Sequence, residues 1–500
     1  MIHTRQGPPK IVIYMDGNAE SALDVSGQVV GFQVSASLTS PASSFTITLA
    51  PFQGKCPGDI RRPPDLYRSL KLNQVVSIGF QEPGGITLGL ISSINRSINS
   101  SGAVVQQGIT ISGQGIGKVL LMDTICKATL TSENWVAFRD KVAAVLGETS
   151  PVIYDLPGTW GPSDGSKDAT PAFEGASVAQ VVTWLLDTAP SMTVPLLHSA
   201  SGGTGRPSEF IRTENSVTVW NDGRIWSSAP ASYQGNIFGF LWDVLDRDFY
   251  ECWIDTIPNG TTIPDIHLII RPKPFDEPDL EWLPVEEETG TTWGDLRTLV
   301  DRLPYHEIDI SETLSLQTGV SDADAYSWYV VTSQYDLAGS GESQTEGVFY
   351  PCVDTYMARR FGMKKYEATE NLVGADVYAR SEADEQYPQA IGSEITELRN
   401  RLVNWYRANP WYESGSITVV GKDRYRPGDK VRIPWIDPAL GDERGLDFYC
   451  TAVIWTWQYG SGYVCTLQLT RGHNATMMLT VAAIIRDDAP PISPNHLATT

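Results

Sequence analysis

The sequence predicts a β-rich α+β chain, with two antiparallel β regions on either side of an inserted α/β segment. Three observations carry this. Between residues 10 and 118, short runs of alternating apolar and polar residues follow one another with turns between them. From 119 to 305 helical spacings appear among loose loops. From 306 to 473 the alternation returns, interrupted by a helical stretch at about 393–409. Composition agrees with the pattern. Charged residues are 19% of the 500, while glycine (44), proline (32) and aromatics (10%) are plentiful, the profile of a chain with many turns and large interfaces.

The first region, 1–118, reads as six strands. Lys10-Ile-Val-Ile-Tyr-Met15 ends at Asp16-Gly17. Val29 to Ser35 and Ser44 to Leu49 alternate cleanly. Asn73 to Phe80 is followed by the turn Glu82-Pro-Gly-Gly85, then by Ile86 to Ile94 and Gln107 to Gly113. Short strands separated by turns point to a small barrel or sandwich.

The insertion, 119–305, carries helical patterns at Trp135–Leu146, Ala176–Leu186 and Ile237–Leu245. Loops fall at Pro157–Gly175 and His198–Pro207. Tyr250–Asp255 and Asp265–Arg271 read as a strand pair, and the acidic stretch 276–288 as a surface link. In the last region, 306–473, Ser327–Thr332 is the clearest early strand. Ser393 caps a helix whose apolar positions are Ile395, Leu398, Leu402 and Trp405, stopped by Pro410. Beyond it, Arg426-Pro-Gly-Asp429 separates two β-prone runs. Proline sets φ for the second position of a tight turn and glycine accepts positive φ at the third, so this is a type II turn. Tyr463–Thr470 closes the region across Gly460-Ser-Gly462, and 474–500 is a Pro-rich tail.

Charge and cysteine usage narrow the function. With 37 basic and 59 acidic residues the net charge is −22, which argues against specific nucleic-acid binding. Met1–Pro9 lacks the apolar core of a secretory signal, and the run Ala475–Ile485 is too short to span a bilayer. A chain made in the cytoplasm, with no membrane binding of its own, is expected. The six cysteines, Cys56, Cys126, Cys252, Cys352, Cys450 and Cys465, form no CxxC pair and no set with histidine at ligand spacing. They read as buried thiols. Cys450 and Cys465 alone are placed where a hairpin can bring them opposite each other.

No catalytic, metal or cofactor site emerges. Ser112-Gly-Gln-Gly-Ile-Gly-Lys118 fails the phosphate-loop template, because Ser112 and Val119 stand where Gly and Ser/Thr are required. It fails the dinucleotide fingerprint as well, and reads as a strand-to-helix turn. His306-Glu307 has no second histidine at helical spacing. Asp243, Asp246, Asp248, Glu251 and Asp255 cluster in an aromatic segment, as the acid and base of a glycoside hydrolase would. An acidic chain makes such clusters by chance, and surface or interface roles fit them better. Arg359, Arg360, Lys364 and Lys365 form the basic cluster, read as an ion-pairing site for a neighbouring subunit.

Two stretches resemble a known family. Trp242 to Phe275 runs from a leucine-bearing helix through Glu251, a strand with Asp255, and Arg271-Pro-Lys-Pro-Phe275. Residues 426–472 pair the Pro-Gly turn with a hairpin ending in Thr470-Arg-Gly472. Both resemble the baseplate hub proteins of contractile-tailed bacteriophages, and the first β region looks like their tube-like barrel. The resemblance implies two tube-like antiparallel β-barrels per chain with inserted α/β segments. It implies a homotrimer forming a pseudo-sixfold ring between the tail tube protein and the central spike protein, with baseplate wedge proteins around it. The lumen would pass the tape-measure protein and then DNA in transit, and an acidic wall would suit that role. The implied place is the virion tail baseplate, assembled in the host cytoplasm, with no cofactor. In this setting the Pro-Gly-Asp corner is expected to place an edge strand for subunit contact. A tail-associated cell-wall glycan hydrolase, with carboxylates near Asp246, is the rival from another class. The spike-hub of a bacterial contractile injection system is a third reading.

Overall fold

Alternation in a strand buries every second side chain, and this chain meets that demand twice. The computed structural model describes residues 9–15, 22–52, 63–80, 85–101, 104–121, 123–127, 207, 210–213, 223–225, 233–245, 247–257, 263–273, 304–333, 352–370, 372–374, 402–403, 405–436 and 445–473, with 182, 183, 186 and 398–400. In the first region the strands are β1 (Lys10–Tyr14), β2 (Ala22–Asp24), β3 (Val29–Ser37), β4 (Ser44–Phe52), β5 (Val75–Gly79), β6 (Thr87–Ser101) and β7 (Val104–Gly115), with helix α1 at Pro63–Ser69.

The insertion supplies β8 (Asp123–Lys127), β9 (Ile211–Arg212), β10 (Gly223–Ile225), β11 (Tyr233–Asn236), helix α2 (Ile237–Val244), β12 (Tyr250–Ile257) and β13 (Asp265–Pro272). The Asn236 side chain starts α2 by accepting from the Gly239 amide. β12 and β13 pair antiparallel over their whole length, as the sequence predicts. The expected helix at Trp135–Leu146, the loop at 157–175, the link at 276–288 and the tail lie outside the described residues.

The last region contains β14 (Tyr305–Glu307), β15 (Thr313–Gly319), β16 (Trp328–Ser333), β17 (Cys352–Val353), helix α3 (Thr355–Phe361), β18 (Lys365–Glu370), β19 (Leu372–Gly374), β20 (Glu413–Val420), β21 (Lys430–Ile433), β22 (Leu446–Gln458) and β23 (Gly462–His473). Positions 398–400, 402–403 and 405–407 are helical, within the predicted helix.

The two β regions are not separate bodies. They share one 13-stranded sheet, and one hydrophobic core runs from Ile11, Phe32 and Ile47 to Trp455, Tyr463 and Leu467. Within that sheet the same plan appears twice. Neighbours run β3-β4-β7-β6-β5-β1 in the first region and β15-β20-β23-β22-β21-β14 in the last, and the chain visits the corresponding strands in the same order. The bulges correspond too. β3 slips against β4 between Val29 and Gly31, and β15 slips against β20 between Thr313 and Ser315. β6 slips against β7 between Ile91 and Ser93, and β22 slips against β23 between Cys450 and Ala452. A bulge fixes register, so its repetition marks a true structural repeat. One pairing departs from the plan: β1 meets β5 antiparallel, whereas β14 meets β21 parallel.

The Pro-Gly-Asp corner has a counterpart as well. Asp429 N donates to Arg426 O (3.4 Å), and the Asp429 carboxylate accepts from Arg426 N (2.9 Å). At Lys71-Leu-Asn-Gln74, Gln74 N donates to Lys71 O (3.5 Å) and the Gln74 side chain accepts from Lys71 N (2.9 Å). The third residue has positive φ in both turns, 88° at Gly428 and 62° at Asn73. The type II reading of the corner therefore holds. Its expected place at a subunit edge does not: β21 is paired on both sides, by β14 and β22, and Asp429 is buried.

Candidate functional site

Eight strands, in the order β15-β20-β23-β22-β3-β4-β7-β6, form a continuous surface through both repeats. Its seam is the pairing of β22 with β3, in which Ala452 to Gln458 lie opposite Ser37 to Gly31. Alternation sends one set of side chains into the core: Phe32, Val34, Phe45, Ile47, Ile109, Ile111, Ile417, Val419, Val453, Trp455, Cys465 and Leu467 are all buried. Trp457 and Phe32, opposite each other across the seam, stack with ring centroids 6.4 Å apart.

The other face is built from what alternates with them. Cross-strand rows can be followed through the registers. One runs Ser315, Thr418, Thr466, Ile454, Ser35, Ser44. A second runs Thr456, Gln33, Thr46, Ser112, Ser93. A third runs Gln458, Gly31, Thr48, Thr110, Asn95. A fourth runs Gln317, Ser416, Gln468, Ala452, Ser37. None of these rows holds an Asp, Glu, Lys or Arg. Hydroxyls bridge the strands, as between Thr418 and Thr466 (3.1 Å) and between Ser93 and Ser112 (3.2 Å). The acidic wall expected from net charge is thus absent from these rows, and the surface offers neutral hydroxyls and amides in its place. Such a surface has no charge to hold a phosphate or to form ion pairs with a passing chain.

Among the described residues the two ends of the eight-strand surface are open. No described strand pairs with the outer side of β15, and β6 is covered by β5 only along Thr87–Leu90. Near the first end Ile310, Leu314 and Val320 are 64%, 48% and 62% exposed. β15 carries neither lysine nor proline, the residues that usually blunt an edge.

The carboxylates singled out as candidate acids lie elsewhere, in a knot joining the insertion to both repeats. Glu251 on β12 accepts from Arg271 Nε (3.2 Å) and from the Tyr449 hydroxyl (2.6 Å). Arg271 also donates to Tyr449 Oη (2.8 Å) and to the Gly428 carbonyl (3.0 Å), and lies 4.8 Å over the Trp253 ring. Burial, reinforced by Glu251, pushes the Tyr449 phenol well above its ordinary value, so it remains a donor. Asp255 pairs with Arg426 (3.1 Å), and Arg426 reaches the Gly85 carbonyl (2.7 Å). Burial raises the Asp255 pKa against the pull of Arg426. Asp248 accepts from the Tyr366 hydroxyl. Asp246 lies outside the described residues. Glu251 and Asp255 are therefore tied to arginines, and nothing in the geometry presents them as an acid and base across an open cleft.

The other sequence candidates resolve into structure. Gly113, Gly115 and Gly117 lie where a Cβ would come within 2.4 Å of neighbouring atoms: Leu90 O, Ser43 Oγ and Pro41 O. Strand packing demands them, and the following 3-10 turn, Ile116–Leu121, is the predicted change of direction. His306 bonds Asp429 at 2.8 Å. Cys450 faces Leu469 and Cys465 faces Trp455, so the two thiols are not opposite each other, and both are free. In the basic cluster Arg360 donates to the Tyr356 hydroxyl (3.0 Å) and Lys365 pairs with Glu367 (2.8 Å), both within the chain. Among the described residues no three His, Cys, Asp or Glu side chains gather as a metal site. The repeat is expected only through the resemblance, which implies two tube-like barrels per chain; the residues alone do not display it. Its one local signal is the pair of turns at 71–74 and 426–429.

No protein-family model matches the chain, and no curated protein matches its sequence. Among solved structures the chain is similar to the tail protein of Neisseria meningitidis MC58, at 11% identity over 93% of this chain and 97% of that one, with a TM-score of 0.44. It is similar to the 43 kDa tail protein of prophage MuSo2 from Shewanella oneidensis, at 10% identity over 92% and 98%, with a TM-score of 0.44. It is also similar to the E. coli c3393 protein, a type VI secretion component described as resembling the T4 tail proteins gp27 and gp5, at 10% identity over 90% and 76%, with a TM-score of 0.37.

Proposed function

We propose that this chain is a structural, non-enzymatic hub of a contractile phage tail. Three copies close a pseudo-sixfold ring that joins the tail tube to the central spike and lines the channel for tape-measure protein and DNA. Residues 1–118 and 306–473 are its two tube-like units, 119–305 the insertion and 474–500 the tail. The observation that carries the reading is the repeated strand plan joined edge to edge through β22 and β3. A ring must repeat its own unit to match a sixfold partner on one face and a threefold partner on the other. A chain that holds two copies of one sheet plan side by side supplies that repeat. The neutral hydroxyl rows suit a channel lining, because they give neither DNA nor an extended protein a charge to bind. Native mass spectrometry of the purified chain, or reconstruction of the particle, tests the copy number. Three copies are expected. A stable monomer at all concentrations or a six-copy ring would refute the proposal.

A further inference from the structure

The seam inside the chain is a template for the contact between chains. β22 is covered on one side by β23, and on the other by β21 along Leu446–Tyr449 and then by β3 along Ala452–Gln458. Its counterpart β6 is covered by β7 on one side, and on the other by β5 along Thr87–Leu90. The stretch of β6 that corresponds to Ala452–Gln458 is Ser93–Asn99, placed by the shared bulge and by the strand pairing just before it. No described strand lies beside that stretch on the β5 side. The counterpart of β3 is β15, and no described strand covers its outer edge either.

We infer that Ser93–Asn99 of one copy pairs antiparallel with β15 and the two residues after it in a second copy, in the register that the internal seam displays. This rests on the hub reading above. The bulges fix the correspondence residue by residue: Val29 with Thr313, Phe32 with Leu316, Gln33 with Gln317, Val34 with Thr318. Transferring the seam gives Ile94 opposite Val320, Asn95 opposite Gly319, Arg96 opposite Thr318, Ser97 opposite Gln317 and Ile98 opposite Leu316. Three features agree with that register. Val320, 62% exposed in the single chain, gains Ile94 as its cross-strand partner. By register Ile98 and Leu316 take the positions that Trp457 and Phe32 hold in the internal seam. Ser97, Asn95 and Gln317 fall on the uncharged face, so its neutral rows continue from one copy into the next. Free edges of this length and composition otherwise invite uncontrolled pairing, and mutual coverage removes both.

Disulfide trapping in the full-length protein tests the register. Ser97→Cys with Gln317→Cys places two thiols directly opposite, at the Cα spacing a disulfide accepts. Within one copy these positions lie on the two end strands of the eight, seven strand-to-strand steps apart, and a bond between copies is distinguished from one within a copy by its covalent mass on non-reducing gels. The expected result on mild oxidation is loss of the monomer band to covalent dimer and closed trimer. Ser97→Cys with Ser315→Cys, and Ser97→Cys with Val320→Cys, displace the pair along the strand and should remain monomeric. Gln33→Cys with Thr456→Cys bridges the internal seam and should close within each chain, showing that the seam is folded as described. A trimer by native mass spectrometry that cross-links only in the displaced pairs, or in none, overturns this inference and leaves the hub reading standing. A monomer with no cross-link between chains, while the internal pair still closes, overturns both.

Discussion

Replacing Gly428 separates two forces that meet at one atom. Gly428 has φ at 88°, and an added Cβ would lie 2.6 Å from Arg271 Nη2 and 3.2 Å from the Trp253 ring. Valine therefore suffers twice. The left-handed backbone costs a β-branched residue about 1–3 kcal/mol. Displacing Arg271 removes its bond to the Gly428 carbonyl, a charged hydrogen bond contributing about 1.5–3 kcal/mol. Taken together, Gly428→Val should lose about 2.5–6 kcal/mol of local stability. Asparagine separates the two effects, because Asn73 already holds the equivalent φ in the first repeat. Gly428→Asn keeps the collision and avoids most of the backbone strain, so it should lose about 1.5–3 kcal/mol. Amide hydrogen exchange reads the difference at Gly428 and Cys450, whose amides bond across to Cys450 O and Asp429 O at 2.7 and 3.0 Å. Valine should lower their protection by about 10²–10⁴-fold, and asparagine by roughly tenfold to a hundredfold. Equal losses in the two variants would show that φ is not the determinant. Unchanged protection in both would show that the turn does not dock on Arg271. Because β21 is internal to the sheet, both variants should keep the size-exclusion volume of the wild type.

Arg271→Met leaves Glu251 buried without its cation and should destabilise the knot by about 3–5 kcal/mol in chemical denaturation. Adding Glu251→Gln should recover part of that loss, and a double variant worse than the sum of its singles would contradict the pairing. Incubated with peptidoglycan, the protein should release no reducing ends. Release that disappears in Glu251→Gln or Asp246→Asn would establish the hydrolase. Burial pushes the Cys465 thiol up to about 12 and the Cys252 and Cys450 thiols higher still, so all three should resist maleimide at pH 8 until the chain is unfolded. Labelling of the native protein at any of them would show that the core opens. Asp309 caps the turn at 310–312 through the Ser311 amide, which holds its carboxyl below the ordinary value. A group depressed in this way stabilises the fold above its unfolded pKa, so protection of the Ser311 amide should fall as pH drops through the acid range below 4.

Local rules made much of this chain legible. The β12–β13 pair, the α2 helix and the β22–β23 hairpin follow from alternation, helical period and the glycines at 460 and 462. The type II corner follows from Pro427 and Gly428, since φ preference acts within four residues. What the corner touches does not follow, because Arg271 stands 157 residues away in the chain. The role of Asp255 was likewise decided by Arg426, far along the chain, whereas Glu251 meets Arg271 directly across the β12–β13 pair and gains Tyr449 from 198 residues away. The repeat was hidden for a packing reason. Where the first unit has Phe45 beside Gly89 and Gly113, the corresponding positions of the second hold Gly415, Phe448 and Leu469. A core constrains total volume at each level and leaves open which strand supplies it, so an aromatic can move to a neighbouring strand while backbone registers and bulges stay fixed. Alternation in the sequence marked the main strands of the two β regions and the apolar face of each. The order of those strands, the seam between Trp455 and Val34 and the two open edges were decided by tertiary structure. Pairing between elements hundreds of residues apart depends on shape and register that no local window contains.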